Sequence, residues 1–382
     1  MNHDALLAED QRMIRDMARD FARERIAPQA AAWEKAGSIP RDVLREMGRL
    51  GLLGMCVSPD WGGAGTDYTA YALALMEIAT GDGGLSTLMR VNNSPVCAAV
   101  EKAGSDEQKE RFLKPLASGD MIGAFCLTEP GAGSDAAAIK TRARRDGNGY
   151  VLSGTKQFIT SGKIAGAAIV FAVTDPDAGK RGISAFLVPT DAPGYTVARL
   201  EDKLGQKSSE TAQIVLDEMR VSGDCLLGRE GGGYKLALAN LESGRIGIAA
   251  QAAGMARAAL DAATAYAKER TSFGSPIIQH QAVGFRLADM ATKVAAAELM
   301  VLHAARLKDK GVDCLKEACM AKLYAGDIAE AVCSDAIRTL GGYGYLADYG
   351  VERIYRDVKV CQIYEGTSDI QKLVINRQMS AA

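Results

Sequence analysis

The chain has 382 residues, 48% of them hydrophobic and 24% charged, which is enough for roughly two or three packed cores and excludes a disordered or fibrous protein. Its net charge of −2 and pI near 6.1 give no overall positive field to gather nucleic acid or anionic lipid, so any anionic ligand must be met by local groups. The eight cysteines contain no C-x-x-C pair and read as reduced core residues, and the three histidines are too few for His-rich zinc sites or a Ser-His-Asp triad. Acid–base chemistry therefore falls to a carboxylate.

In chain order, the acidic N-terminus lacks a basic region followed by an apolar stretch, so no secretion signal is expected and a cytoplasmic location follows. The longest apolar run, residues 164–173, is about half a membrane span, and no transmembrane helix is expected. From residue 8 to about 117 the pattern is helical: Met13, Met17 and Phe21 recur at a spacing of four, and Ser105 with Gln108 fits a capping box. Between residues 121 and about 221, short β-branched runs are separated by turns such as Asp146-Gly147-Asn148-Gly149 and Ala192-Pro193-Gly194. Helical patterns then return over 230–270, 281–311 and 314–340, long enough at about 1.5 Å per residue for an antiparallel bundle. The expected fold class is α+β: an N-terminal helical domain over 1–120, a middle antiparallel β domain over 121–229, and a C-terminal domain like a four-helix bundle over 230–382.

Three segments carry candidate chemistry. In Phe125-Cys126-Leu127-Thr128-Glu129-Pro130-Gly131-Ala132-Gly133-Ser134-Asp135 a strand-like run ends in a Gly-rich turn with two hydroxyls, suited to a phosphate or a planar heterocycle. Its G-x-G-x-x-A spacing matches the dinucleotide fingerprint only in letters, because no long helix or acid-ended strand follows; a structural turn is the alternative. Phe158 and Thr160, in Gly154-Thr155-Lys156-Gln157-Phe158-Ile159-Thr160-Ser161-Gly162, share one strand face and could meet one ligand, although core packing of the ring is the commoner outcome. In Ile363-Tyr364-Glu365-Gly366-Thr367-Ser368-Asp369-Ile370-Gln371, Ser368 and Gln371 fit a capping box, which sets Glu365 at a helix mouth. An acid on that Gly-loosened turn can be turned into a cleft and partly desolvated, which suits a general base. An ordinary solvated acid is the alternative.

Together these segments resemble the acyl-CoA dehydrogenase family, through Thr128 to Asp135 as one signature and Tyr364-Glu365-Gly366-Thr367-Ser368 as another. The resemblance implies a homotetramer with one FAD per subunit. Phe125, Cys126, Leu127, Thr128, Gly133 and Ser134 would line the flavin, with Phe158, Ile159 and Thr160 on its other contacts; Phe158 stands where the family usually has Trp. Arg270, Phe273 and Gln281 resemble residues that hold the neighbouring subunit's FAD. Arg338, Thr339, Leu340, Gly341 and Gly342 resemble a diphosphate-binding turn, with Arg338 where Gln is usual; Thr367, Ser368 and Asp369 would complete the cofactor contacts. Glu365 would be the base that removes the α-proton of an acyl thioester, and electron-transferring flavoprotein the electron acceptor. One subgroup places its base at the position of Gly244, which has no side chain to act. Ser134, Glu242, Ser243, Gly244, Arg245 and Gly366 resemble the substrate contacts, with a helix-surface charge the alternative for Arg245. Gly244-Arg245-Ile246-Gly247-Ile248-Ala249-Ala250-Gln251 and Val91-Asn92-Asn93-Ser94 look like short-chain or short-branched-chain members. An acyl-CoA oxidase on the same fold is a rival reading. A nucleic-acid-binding relative is another, resting on Lys140-Thr141-Arg142-Ala143-Arg144-Arg145, which is read instead as an exposed edge strand.

Overall fold

In chain order the helices are α1 (Glu9–Phe21), α2 (Ala30–Ala36), α3 (Arg41–Arg49), α4 (Tyr68–Gly81), α5 (Gly83–Val91), α6 (Ala98–Ala103), α7 (Asp106–Gln108) and α8 (Lys114–Ser118), then α9 (Gly233–Glu269), α10 (Gln281–Asp309), α11 (Leu315–Leu340), α12 (Val351–Val358) and α13 (Ser368–Ala381). The structure is a computed structural model that describes residues 4–381. The three long helices expected after residue 230 are present with ends within three residues of the reading. The Ser105 and Gln108 capping box forms, with bonds of 3.2 and 3.1 Å. Among the described residues, no helix is long and apolar enough to cross a membrane.

Helix α4 is apolar on every side, and this places it at the centre. Such a helix has no face to offer water, so it is packed between α1, α9 and α10. Its one acid, Glu77, is buried and is paired by Arg19 of α1 at 3.0 Å and Arg257 of α9 at 2.7 Å, which compensates the charge from both sides. The largest hydrophobic cluster accordingly runs from Trp33 and Met47 through Leu75 to Ala253, Val301 and Val332, joining the N- and C-terminal helices in one core. Alanines and glycines of α9 allow the close approach: a Cβ added to Gly254 would run into the Met76 carbonyl.

The middle of the chain forms β1 (Gly123–Cys126), β2 (Arg142–Asp146), β3 (Gly149–Thr160), β4 (Ala167–Val173), β5 (Ile183–Pro189), β6 (Tyr195–Leu200) and β7 (Thr211–Ser222), in the order β1-β4-β2-β3-β7-β6 with β5 on β4. Most pairs are antiparallel, but β1 runs parallel to β4, from Gly123 with Ala167 to Cys126 with Val170. The whole β2–β3 hairpin intervenes between these strands, and that crossover length is what parallel pairing requires. Strand β2 is not an edge strand, as the sequence reading had it: it pairs with β3 along its length and touches β4 at Arg142 and Val173. Its basic side chains still face outward, and two meet acids, Arg145 with Glu230 at 2.8 Å and Arg144 with Glu218 at 3.9 Å. Strand β3 shifts register between Lys156 and Ile159, where Phe158 takes a φ of 59°.

Candidate active site

Just before α13 the chain turns through Tyr364, Glu365, Gly366 and Thr367. Glu365 and Gly366 both have left-handed backbone, with φ of 51° and 93°. For a residue with a Cβ this costs on the order of 1–2 kcal/mol, so the loop needs support from outside. Lys322 of α11 provides it, donating to the Tyr364 carbonyl at 2.8 Å and to the Gly366 carbonyl. Burial pushes the Lys322 pKa down to about 8 against the opposing pull of Glu365. The expected pairing of Ser368 with Gln371 is not what opens α13. Thr367 Oγ1 accepts from the Ile370 N–H at 3.4 Å, and Ser368 Oγ donates to Asp327 at 3.2 Å. The Gln371 amide instead reaches back to the Gly366 carbonyl at 2.8 Å and the Glu365 carbonyl at 3.4 Å, because the left-handed pair leaves those acceptors within its reach.

The Glu365 side chain is enclosed. Oε1 accepts from Arg90 Nη1 of α5, while Oε2 has no partner. Arg90 is 1% exposed, and its guanidinium lies 4.9 Å from the centroid of the Tyr364 ring. Gly244, Gly247 and Gln251 of α9 face this pair; their spacing of three and then four puts them on one side of the helix. A Cβ on Gly244 would collide with Glu365 Oε2, and one on Gly247 would lie 3.0 Å from Arg90 Cγ and 3.1 Å from Tyr71 Oη. Gln251 closes the far end, accepting from the Tyr364 hydroxyl at 2.7 Å and donating to Thr87 Oγ1 at 2.5 Å. Gly244 thus makes room for the carboxylate, besides offering no rival to it.

Of the expected substrate contacts, Arg245 is not a surface charge: it is 8% exposed and its Nε has no partner. It stands close enough to Lys322 to help lower that lysine's pKa. Ser243 is buried and donates to the Asn240 carbonyl at 3.4 Å, Ser134 is exposed, and the Glu242 side chain lies outside the described residues. Sequence reasoning missed Arg90, Tyr71 and Lys322. A signal existed for the cations, since Arg90 in Leu85-Ser86-Thr87-Leu88-Met89-Arg90-Val91 and Lys322 beside Met320 and Ala321 are single charges in apolar helical runs.

The structure brings together the two segments read as flavin contacts. Glu129 accepts from the Lys140 and Thr141 N–H groups at 2.6 and 3.0 Å and pairs with fully buried Lys156 at 2.7 Å, pinning the Gly-rich turn to β3. Burial lowers the Lys156 pKa, opposed by Glu129; burial would raise the pKa of Glu129, but Lys156 outweighs it and holds it below the ordinary value. The Gln157 N–H donates to the Thr128 carbonyl at 2.8 Å. Beside this joint, Gly131 and Gly133 face open space, and Phe158 is 63% exposed rather than packed in a core. Ile159 is buried and Thr160 half-buried, so Phe158 and Thr160 share the open face. Phe125 packs on Phe171 at 4.8 Å, and the Cys126 and Leu127 side chains turn into the core.

A separate open cavity of about 450 Å³ gathers Arg270 with Thr339, Leu340, Gly341 and Gly342. Arg286, not foreseen, donates to Thr339 Oγ1 at 3.4 Å. Arg338 does not line the cavity; it is exposed and paired with Asp335 at 2.8 Å. Phe273, 98% exposed, and Gln281 lie on the surface, and Thr367, Ser368 and Asp369 stand at the start of α13. These features fit a flavin dinucleotide: an exposed ring beside open glycine backbone suits a planar heterocycle, and a guanidinium with a glycine turn suits a diphosphate.

A buried carboxylate with one unpartnered oxygen, set in a helix–sheet–helix chain with such a cradle, defines a flavoprotein oxidoreductase. Residues 8–120, 124–219 and 231–380 match the N-terminal, middle and C-terminal domains of acyl-CoA dehydrogenase, and the chain belongs to that family. It is 47% identical over 369 residues to the mitochondrial short-chain specific acyl-CoA dehydrogenase of Bos taurus, covering 97% of this chain and 90% of that one. The solved butyryl-CoA dehydrogenase of Megasphaera elsdenii superposes with a TM-score of 0.95 at 38% identity, covering 98% and 99% of the two chains. A glutaryl-CoA dehydrogenase of Mycobacterium smegmatis, solved in complex with FADH2, gives 0.95 at 36% identity, covering 100% and 97%. The family is FAD-dependent, and the chain is an oxidoreductase acting on CH–CH groups.

Proposed function

We propose that the protein dehydrogenates a short-chain acyl-CoA between Cα and Cβ to a trans-2-enoyl-CoA, with Glu365 as the base that takes the α-proton. The observation that carries this reading is Glu365 Oε2, a buried carboxylate oxygen with no hydrogen-bond partner, at the point where Gly244 offers no side chain. Arg90 and the strained loop restrain the rest of the carboxyl group, and a positioned base needs such restraint. Bound FAD supplies the acceptor for the β-hydrogen, which leaves with its electron pair. The Gly-rich turn with Phe158 and Thr160 would hold its ring system. Arg270, Phe273, Gln281 and residues 339–342 would hold the diphosphate and adenine of a neighbouring subunit's cofactor in a homotetramer. Electron-transferring flavoprotein would be the electron acceptor, and the cytoplasm the compartment. The short-chain and butyryl-CoA relatives support the chain length.

The test is to purify the protein, record its spectrum and add short acyl-CoA thioesters without oxygen. A yellow flavin spectrum bleached within seconds by a four- or five-carbon thioester is expected. Protein that binds no flavin, or flavin that no thioester bleaches, overturns the reading.

A further inference from the structure

Lys322 is a buried cation whose charge the fold itself does not need. It sits in α11, 2% exposed, and its ammonium donates to neutral acceptors, the Tyr364 carbonyl at 2.8 Å and the Gly366 carbonyl. Among the described residues no carboxylate forms an ion pair with it, and Glu365, the acid of that turn, pairs with Arg90 instead. A neutral amide could clamp two carbonyls without the cost of taking a charge out of water, so the charge calls for a use of its own.

Every carbonyl of the turn is taken. Lys322 holds those of Tyr364 and Gly366, while the Gln371 amide reaches that of Glu365 at 3.4 Å and shares that of Gly366 at 2.8 Å. A trans peptide points its N–H opposite to its C=O, so the Glu365 N–H is aimed away from Lys322. It has no acceptor among the described residues, whereas the Ile363 and Tyr364 N–H groups just before it both donate to the Val360 carbonyl, at 2.9 and 3.1 Å. A free donor thus sits on the residue that carries the base.

Proton abstraction has a use for such a donor. As Glu365 takes the α-proton, the C–H electron pair moves into the bond between Cα and the carbonyl carbon, and negative charge gathers on the thioester oxygen. The net charge of the site stays the same; it shifts from the carboxylate to that oxygen, two bonds from Cα. The Tyr364 carbonyl and the Glu365 N–H belong to one conjugated peptide unit, so an ammonium on the oxygen draws electrons from the nitrogen and strengthens the N–H as a donor.

We propose that Lys322 is a positioning residue for α-proton removal: its charge, relayed through the Tyr364–Glu365 peptide, strengthens the Glu365 N–H as the donor that meets the thioester oxygen. This rests on the dehydrogenase reading above and names a group that acts only through the loop. The charge can be switched off without removing the clamp, because a neutral amine still has two N–H bonds for the two carbonyls. Burial pushes the Lys322 pKa down to about 8, helped by Arg245 of α9 and Arg90 of α5 and opposed by Glu365 and Cys361. Above that pH the polarisation is lost, so the rate falls as pH rises.

The FAD-loaded protein is mixed without oxygen with saturating butyryl-CoA, and flavin reduction is followed in stopped flow from about pH 6 to 9.5. The rate should fall at least about tenfold through an apparent pKa near 8, while the dissociation constant of butyryl-CoA stays within about threefold. Lys322→Met should show at neutral pH the slow rate that wild type reaches only at high pH, with no descending limb, and with flavin content and melting temperature showing that it folds. Should it not fold, the wild-type profile decides alone. A wild-type rate that does not fall across this interval, a fall caused by weaker binding, or a limb that persists in Lys322→Met overturns the role given to Lys322 and leaves the dehydrogenase reading standing. Flavin that no short thioester reduces at any pH overturns both.

Discussion

Gly244→Ala sets stability against activity. On a helix interior this substitution normally stabilises, because alanine is favoured over glycine by about 1 kcal/mol and restricts the unfolded chain. The added Cβ collides with Glu365 Oε2, however, the free end of a flexible side chain that can swing away at little cost. To regain ordinary contact the carboxylate must retreat by about an ångström, and a misplacement of that size can cost on the order of 10² in rate, or about 2.7 kcal/mol of barrier. Gly244→Ala is therefore expected to bind FAD, melt at the wild-type temperature or slightly above, and reduce its flavin about 10² more slowly in anaerobic stopped-flow. A wild-type reduction rate in a folded, flavin-loaded Gly244→Ala would refute the position assigned to the base.

Glu365→Gln should keep its FAD and slow flavin reduction by about 10² to 10⁴, the usual worth of a positioned base; near-normal reduction would move the role elsewhere. Lys322 has a folded pKa near 8, lowered chiefly by burial, so its buried charge is a full penalty below pH 8 and is relieved as pH rises towards 10.5. Urea unfolding should show wild type gaining stability relative to Lys322→Met across that interval, and a flat difference would count against the buried ammonium. Asp357 has its pKa raised to about 7, first by burial and then by nearby Asp82. The folded state thus holds a proton that the unfolded state has lost, and stability should fall as pH rises from about 4 to 7. Asp357→Asn, which keeps an acceptor for the Gln206 N–H, should flatten that slope by on the order of a few kcal/mol, and an unchanged slope would assign it to other groups.

The helical bundle was legible because 3.6-residue periodicity is a local property, and α9, α10 and α11 begin directly after Gly232, His280 and Cys314. Glu365 was legible for a similar reason: an acid beside a glycine and a helix start is written in five consecutive residues. The cap of α13 was misread because Ser368 and Gln371 have the right letters, while the left-handed backbone at Glu365 and Gly366 offers Gln371 better acceptors. The place of β2 in the sheet was also hidden, since exposed arginines look the same on an edge strand as on one that meets a second neighbour only at its first residue.

Sequence alone determined the order of helices and strands, the family resemblance, and the carboxylate proposed as the base. Tertiary structure decided what that carboxylate meets. Arg90 lies 275 residues from Glu365, Gly244 faces it from α9, and Lys322 of α11 holds the carbonyls of the loop that carries it. It also decided that the first and last thirds of the chain share one core through α4. The physical reason is the range of the forces: backbone propensity acts over a few residues and shows in the letters, whereas burial and charge pairing act across space between residues that only the fold makes neighbours.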